Sequence, residues 1–457
     1  MKILKISFVL SLVFLCLFSC KKQQLQEQKT EDYSALEENQ LLDLVQKQTF
    51  KYFWEYAEPH SKMARERFHP DGVYPQNDSN IVTTGGSGFG LMAIIVAIDR
   101  GFVNKDKGIE RLFAIANFLE KADRFHGAWS HWINGETGKA KPFSKKDDGG
   151  DLVETAFLAQ AFIVIREYFK NGNEAEKALA EKYDNLWKEI DWKWYTKGEE
   201  NALYWHWSPN YGWDMNFKLE GYNETLITYV LAASSPSHSV GKKAYDEAWA
   251  RKGNIVSNQK TFGYPLILKH NGAEKYGGPL FWAHYSFLGL NPQGLKDKYT
   301  DFWKLNYNQT MINYKYAVSN PHHFKGYGKN FWGLSASYSR NEDGSIGYRA
   351  HHPNEDVGVI SPTAAISSIV YTPEHSMDFM RNLFKNYPES WGGAGFYDAL
   401  SPQYDWMAKW YLAIDQGPQI VMIENYRSGL IWDLFMNAPD IKKGLKTLGF
   451  TSSKYNF

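Results

Sequence analysis

Cysteine is nearly absent from this chain. Its 457 residues contain two, Cys16 and Cys20, and both lie within the first twenty positions. The chain beyond Cys20 therefore cannot form a disulfide bond or a cysteine metal site, and packing alone has to stabilise it. At this length it can bury a large core, in one large domain or in two ordinary ones.

The sequence also lacks net charge. Lys and Arg together number 51, as do Asp and Glu, so the formal charge is zero. A surface that binds nucleic acid or an anionic bilayer normally carries an excess of basic residues. We therefore expect no nucleic-acid partner and no electrostatic attachment to a membrane.

The N-terminus, MKILKISFVLSLVFLCLFSC, has a basic start and an apolar run that are typical of a bacterial signal peptide. Its end, Leu17-Phe18-Ser19-Cys20, resembles a lipobox, which implies cleavage before Cys20 and lipidation of its thiol. The predicted organisation is a signal peptide (1–19), a lipidated cysteine with a polar tether (20–38) and one domain (39–457). We expect an envelope lipoprotein in the periplasm or at the outer-membrane surface. An ordinary signal peptide with an incidental cysteine is the alternative.

Two kinds of helical segment alternate along the rest of the chain. Amphipathic segments cover 40–57, 107–123, 173–190, 240–250, 297–318 and 374–386. Segments that are apolar almost all round, and so have to be enclosed, cover 87–98, 151–168, 224–234, 279–290, 361–371 and 418–435. This alternation predicts an all-α fold, an (α/α)6 barrel of six inner and six outer helices with its long loops on one face. Two stacked helical bundles are the alternative, but they do not explain why the long loops fall on one side.

Aromatic residues are abundant, with 17 Trp, 29 Tyr and 28 Phe. Flat rings with a polar edge suit the binding of sugars or apolar ligands. Many of them lie in four long loops, 128–138, 204–213, 320–339 and 391–411. From these loops we select as substrate-binding candidates Trp129, Trp205, His206, Trp207 and Trp391. Packing of each ring against the barrel is the alternative.

Four acids lie at the start of the second apolar segment, in the sequence SKKDDGGDLVETAFLAQ: Asp147, Asp148, Asp151 and Glu154. The sequence Asp-Leu-Val-Glu could be a capping box, in which Asp151 and Glu154 exchange hydrogen bonds with each other's backbone N–H. However, the next apolar segment, 224–234, also has an acid, Glu224, in its first turn. Two inner helices would then bring acids to one pocket, as glycoside cleavage requires: one protonated carboxyl and one carboxylate.

Polar residues also lie just before two further apolar segments. Asp415 and Gln416 precede the last segment, and the sequence HHPNED holds His351, His352, Glu355 and Asp356. We take Asp415, Gln416 and Asp356 as substrate-binding candidates. A metal at the histidine and acid cluster is the weaker interpretation because it lacks a fixed helical spacing, and we expect no metal or cofactor. Glu424 and Arg427, three residues apart, are expected to form a structural pair.

Several motifs together are similar to one known family. GGSGFGLMA (85–93), DDGGDLVETAFL (147–158), YNETLITYVLAASSP (222–236), GGAGFYDA (392–399) and DQGPQIVMIENYRSGL (415–430) resemble the bacterial glycoamylase-like domain of glycoside hydrolase family 144. The resemblance runs from about residue 40 to the C-terminus. It implies an (α/α)6 barrel and hydrolysis of β-1,2-glucan with inversion, endo-acting or releasing sophorose. It also implies that the essential acids are Asp147, Asp151, Glu154 and Glu224, without Asp148.

Other functions remain open at this point. Asp147-Asp148-x-x-Asp151 also fits the acidic magnesium motif of helical terpenoid synthases, but such a site needs a second metal motif and a basic diphosphate sensor. A non-catalytic glycan-binding lipoprotein would use aromatic residues in the same way, without needing convergent acids. A hydrolase of another glucan, such as an α-glucan, is a further alternative. We expect a monomer.

Overall fold

Helices dominate the computed structural model, which describes residues 33–74, 78–199 and 201–457. Residues Tyr33–Phe457 form one compact unit. The α-helices of five or more residues are α1 (Glu38–Trp54), α2 (Thr84–Asp99), α3 (Lys105–Lys121), α4 (Leu152–Phe169), α5 (Glu174–Lys188), α6 (Leu226–Ser234), α7 (Phe302–Ser319), α8 (Pro362–Ile366), α9 (Pro373–Asn386), α10 (Ala413–Arg427), α11 (Leu430–Asn437) and α12 (Pro439–Leu448). The predicted signal peptide and the lipidation at Cys20 lie outside the described residues.

Strands in the described ranges form only short ladders, and none of these closes into a barrel. The ladders are Ile81–Thr83 with Trp132–Asn134 and Ala140–Lys141, Gly150–Asp151 with His206–Trp207, Arg67–Phe68 with Tyr411–Leu412, Arg124–Phe125 with Ala128–Trp129, Lys260–Thr261 with Tyr264–Pro265, Leu295–Lys296 with Thr451–Ser452, Ala336–Arg340 with Ile346–Ala350, Trp391–Gly392 with Gly395–Phe396, and Ala399–Ser401 with Trp406–Ala408. The described part is thus an all-α fold whose loops form short hairpins and short ladders between distant segments.

The helices that are apolar all round are buried, and so is most of α7, which was predicted to be amphipathic. In α2, every residue from Thr84 to Ile98 is buried, and α2 packs against both α4 and α10. Gly88 makes the contact with α4 possible, because a Cβ at this position would lie 2.4 Å from the carbonyl oxygen of Phe157. By contrast, α5 buries only one side, which includes Leu179 and Tyr183. For α2 and α5, the helix pattern in the sequence therefore correctly separates an enclosed helix from a half-exposed one.

Two predicted inner helices are much shorter than expected. The 279–290 segment forms two 3₁₀ turns, Leu280–Ala283 and Tyr285–Phe287, and the 361–371 segment keeps only α8. The Ser368 hydroxyl donates to the carbonyl of Ala364, a side-chain bond of the kind that competes with helix geometry. Aromatic residues, which are moderate helix formers, make up much of the first segment.

The other departures lie at helix ends and in one loop. The 418–435 segment is two helices, α10 and α11, separated at Gly429, which has a φ of 75°. The amphipathic 240–250 segment is a short α-turn, Lys242–Ala244, that continues as a π-helix, Tyr245–Trp249. The hairpin with strands Ala336–Arg340 and Ile346–Ala350 occupies a region for which only a loop was expected. Among the described helices, none has the length and apolarity that crossing a bilayer requires.

Candidate active site

A cavity of about 390 Å³ lies where the N-terminal ends of buried helices meet. Four residues at these helix ends line it: Thr83 before α2, Glu154 in the first turn of α4, Glu224 before α6, and Ile414 in the first turn of α10. Much of the remaining wall is aromatic: Trp132, Phe143, Phe157, Trp205, Phe281, Tyr285, Tyr338 and Tyr348. The cavity therefore combines apolar ring faces with a few polar groups, as ligand sites commonly do.

Asp151 begins α4 and explains the local geometry of the acids. Its Oδ1 accepts hydrogen bonds from the backbone N–H of Val153 at 3.0 Å and of Glu154 at 2.9 Å. Half of the capping-box alternative is thus correct. Glu154 does not return the bond, because its Oε2 accepts from the N–H of Gly85 at 2.7 Å instead. The helix cap leaves Glu154 free to face the cavity.

Glu154 and Glu224 both have strongly shifted pKa values. Burial, with the charges of Asp151 and Asp147, raises the pKa of Glu154 to about 7, although His131 and the Gly85 N–H oppose the shift. Burial, with the charges of Glu154 and Asp151, raises the pKa of Glu224 to about 7 as well. The Glu224 side chain is partly open, but it opens into the narrow cavity rather than onto the protein surface. Near neutral pH, each group can therefore either hold or release a proton.

His131 and His206 connect the remaining acids. The Nδ1 of His131 lies 3.0 Å from Oδ2 of Asp151, and the Nε2 of His206 lies 3.3 Å from Oδ2 of Asp147 and 3.8 Å from Oδ2 of Asp151. Burial acts to raise the pKa of Asp151, but the hydrogen bond and charge of His131 outweigh it and lower the pKa below its usual value. Asp151 is therefore an ionised group at neutral pH, unlike Glu154.

Asp148 is separate from this cluster. Its Oδ2 accepts a hydrogen bond from the side-chain amide of Asn210 at 2.7 Å, whereas the neighbouring Asp147 is buried beside His206. The structure therefore brings together Asp147, Asp151, Glu154 and Glu224.

Glu66 and Arg67 line the same cavity and were not selected from the sequence. Arg67 donates to Glu66, and its guanidinium lies 6.0 Å from the ring centre of Tyr338. Burial raises the pKa of Glu66 although Arg67 opposes the shift. The sequence feature that could have identified them is the adjacent Glu and Arg in the long loop after the first helix. No sequence feature marked Tyr338 and Tyr348, because their hairpin strands were predicted to be a loop.

The aromatic candidates divide into two groups. Trp205 lines the cavity, and His206 contacts the acids. Trp207 instead packs against His126 and Trp194 outside the cavity wall. Trp391 contacts Phe396, with ring centres 4.7 Å apart, and does not reach the cavity.

Two further substrate-binding predictions, Trp129 and Gln416, also need correction. Trp129 is fully buried, and its indole N–H donates to the carbonyl of Leu119. Gln416 is buried and donates to the carbonyl of Ala394. Both side chains have backbone partners in the core, so neither presents a polar group to the cavity.

The two acidic candidates also lie outside the cavity lining. Asp356 accepts hydrogen bonds from the Tyr327 hydroxyl at 2.8 Å and from the Gly358 N–H at 2.9 Å. Asp415 follows the wall residue Ile414 in the sequence and is buried, and burial and the neighbouring Asp398 raise its pKa well above the usual value. Neither carboxyl meets the cavity in this structure.

Among the described residues, one group has a spacing that a metal ion could bridge. Ligand atoms of His131, Asp147 and Asp151 lie within 4.8 Å of one another. The Nδ1 of His131 is already hydrogen-bonded to Asp151, so this group is an internally bonded network. The cluster that includes His351 and His352 does not bring three ligand atoms this close within the described ranges.

Comparison with known proteins identifies several relatives. Residues 216–439 match the family model described as a putative glucoamylase. The exo β-1,2-glucooligosaccharide sophorohydrolase (non-reducing end) of Parabacteroides distasonis is 42% identical over 432 residues, which are 90% of this chain. The chain spans 58% of the length of that relative.

Solved structures give matches over nearly the whole chain. The endo-β-1,2-glucanase of Chitinophaga pinensis, in complex with sophorotriose and glucose, is 55% identical with a TM-score of 0.89, and the match covers 92% of this chain and 100% of that one. A structure described as a putative glucoamylase from Bacteroides caccae is 56% identical with a TM-score of 0.88, covering 91% and 100%.

Proposed function

This chain belongs to glycoside hydrolase family 144, and on that premise we propose that it hydrolyses β-1,2-linked glucan with inversion. The observation that carries this proposal is the pair Glu154 and Glu224, which face one cavity and whose pKa values are both raised to about 7. The names of its relatives, an endo-β-1,2-glucanase and a sophorohydrolase of β-1,2-glucooligosaccharides, support this choice of substrate.

In this mechanism, Glu154 and Glu224 divide two roles between them. A protonated carboxyl donates its proton to the leaving glycosidic oxygen, and an ionised carboxylate removes a proton from the attacking water. A pKa near 7 suits either role, because the group can exchange its proton at neutral pH. Asp151 remains ionised and raises the pKa of both neighbours. The aromatic side chains of the wall limit the access of bulk water and offer ring faces to the sugars.

A double ring of helices would explain how four N-termini meet at this cavity. The support is a chain of contacts among the buried elements: α2 with α4, α4 with α6, α6 with the 3₁₀ turn Tyr285–Phe287, α8 with α10, and α10 with α2. Between the turns and α8, the Nε2 of His284 lies 3.0 Å from the Ser368 hydroxyl. We propose that these elements form the inner ring of an (α/α)6 barrel.

Product analysis tests the substrate directly. Purified protein is incubated with linear β-1,2-glucan, starch, laminarin and cellulose, and products are separated by thin-layer chromatography. We expect β-1,2-linked oligosaccharides from the first polymer only, with NMR showing the α-anomer at the new reducing end. Glucose or maltose from starch would favour the glucoamylase label instead, and binding without products would favour a glycan-binding protein.

We also propose that the enzyme is an envelope lipoprotein attached through Cys20. The support is the sequence Leu17-Phe18-Ser19-Cys20 and the polar segment that follows it. Replacing Cys20 with Ser should release the protein from the membrane fraction. An unmodified N-terminus downstream of Cys20 in native protein would contradict this.

A further inference from the structure

His131 lies at the centre of the acid cluster, yet the proposed reaction gives it no role. Its ring stacks on Phe143, with ring centres 4.2 Å apart, and meets Trp132 edge-on. These contacts hold the imidazole in the plane that places Nδ1 at 3.0 Å from Oδ2 of Asp151. Because Asp151 is ionised and can only accept, Nδ1 carries the hydrogen.

The charges around this ring are mostly negative. Asp147, Asp151 and Glu154 come from α4 and the loop before it. Glu66, which is paired with Arg67, directly precedes the strand Arg67–Phe68, and the imidazole of His206 comes from the strand His206–Trp207. Burial alone would lower the pKa of His131, but the charge of Glu154 and the bond to Asp151 outweigh it and raise the pKa to about 9. His131 is therefore a cation at neutral pH.

We propose that His131 is a positioning residue for hydrolysis, which holds Asp151 in place through its Nδ1–H bond and keeps one positive charge among the acids. This inference rests on the proposed function. The charge matters most to Glu154, whose pKa is held down by His131 against the effects of burial and of Asp151 and Asp147. Without that charge, Glu154 would ionise only at a higher pH.

Two substitutions separate the hydrogen bond from the charge. His131→Gln can still donate a hydrogen bond but is neutral, and His131→Phe removes both. The matched control is His238→Gln, because the Nδ1 of His238 lies 3.3 Å from Oδ1 of Asp191 in a second His–Asp pair, away from the cavity. For each variant, kcat and KM on β-1,2-glucan are measured across pH.

For His131→Gln we expect kcat to fall roughly tenfold or more, with a smaller change in KM. The limb of the pH profile that reports Glu154 should move to higher pH by about one unit. This direction holds whether Glu154 is the acid or the base, because its pKa rises in either case. His131→Phe should lose more activity, and His238→Gln should match the wild type. A folded His131→Gln with an unchanged pH profile would overturn the proposal.

A second measurement does not depend on activity. Titration of the imidazole resonances by NMR in the wild-type protein, with His131→Gln used to assign the signal, reports the charge of His131 directly. We expect the ring to stay protonated above about pH 8, and a ring that titrates at or below an ordinary histidine value would overturn the proposal. If the wild type cleaves no glucan, the proposed function fails, while this titration still decides the charge of His131.

Discussion

Two buried regions of this protein use the same residue type in opposite ways. Glu424, near the C-terminal end of α10, is fully buried and accepts hydrogen bonds from Arg100 at 2.7 and 2.8 Å, from Gln46 at 3.2 Å and from Ser428 at 2.6 Å. Although burial acts to raise the pKa of Glu424, these partners lower it. Glu154 has the Gly85 N–H and a longer contact to Thr83, and its pKa is raised.

The difference lies in the donors that surround each carboxylate. A buried carboxylate with a full set of donors and a cationic partner is stable as an ion and has no proton to exchange at neutral pH. A carboxylate with few donors and acidic neighbours keeps its proton to higher pH and can exchange it. The Glu424 region therefore stabilises the fold, and the Glu154 and Glu224 region is suited to react.

The largest expected effect is on turnover. Glu154→Gln and Glu224→Gln keep the side-chain shape but cannot exchange a proton, so kcat on β-1,2-glucan should fall by roughly two orders of magnitude or more. Both variants should still fold, with melting temperatures no lower than that of the wild type, because each loses a buried charge that is unfavourable at neutral pH. Asp148→Asn is the matched control and should keep normal kinetics, since Asp148 contacts Asn210 outside the cluster. Near-normal rates in both Gln variants would show that other acids react, and Glu66, which lines the same cavity, would be the next to be tested.

The reverse is expected at Glu424. Glu424→Gln leaves the cation of Arg100 without its partner, which should cost about 2–3 kcal/mol of unfolding free energy, discounted because Arg100 is partly exposed. The folded fraction should keep its kcat. Urea denaturation and initial rates measure the two effects, and Arg427→Gln, on the same helix, is the control with a smaller loss. A fall in kcat without a loss of stability would contradict the structural role of Glu424.

The two regions should also respond to pH with opposite signs. Glu154 has a raised pKa in the folded state, about 7 against 4.5 for an ordinary Glu, so the folded state binds more protons and its ionisation lowers stability as pH rises through this window. Relative to wild type, the stability of Glu154→Gln should therefore increase as the pH rises from 4.5 to about 7. Glu424 has a lowered pKa, so its contribution is present above the ordinary Glu pKa and is lost in acid. The stability cost of Glu424→Gln should shrink as the pH falls below that value. Urea titrations at several pH values test both signs, and parallel curves would contradict them.

The smallest effect is expected at the aromatic residues. Trp205→Ala removes a ring from the cavity wall and should raise KM or weaken oligosaccharide binding by about 1 kcal/mol. Trp391→Ala is the matched control, because that ring packs against Phe384 and Phe396. It should lower the melting temperature without changing affinity. Equal losses of affinity in both variants would contradict the assignment of Trp205, and not Trp391, to the substrate-binding wall.

The sequence was most informative where the pattern is local. Residues that are apolar all round identified the buried α2 and α4, and the acids before α4 identified the cavity side of the domain. It was less informative where partners are distant. Glu424 was expected to pair with Arg427, but Arg427 contacts Asp43 and Gln46, while Arg100 binds Glu424. The cavity residues Glu66, Tyr338 and Tyr348 were missed for the same reason, since they reach the site from loops and a hairpin that no helix periodicity marks.

Helix amphipathicity and helix caps depend on neighbours within a few residues, so the local pattern predicted the enclosed α2 and α4 and the acids at the N-terminal end of α4. The pKa values of the buried carboxylates depend instead on partners that are distant along the chain, so no local pattern predicted them. The Gly85 N–H that binds Glu154 is 69 residues away along the chain, and the Arg100 side chain that binds Glu424 is 324 residues away. A carboxyl's pKa depends on the donors, charges and solvent within a few ångströms of it, and folding alone brings those groups together.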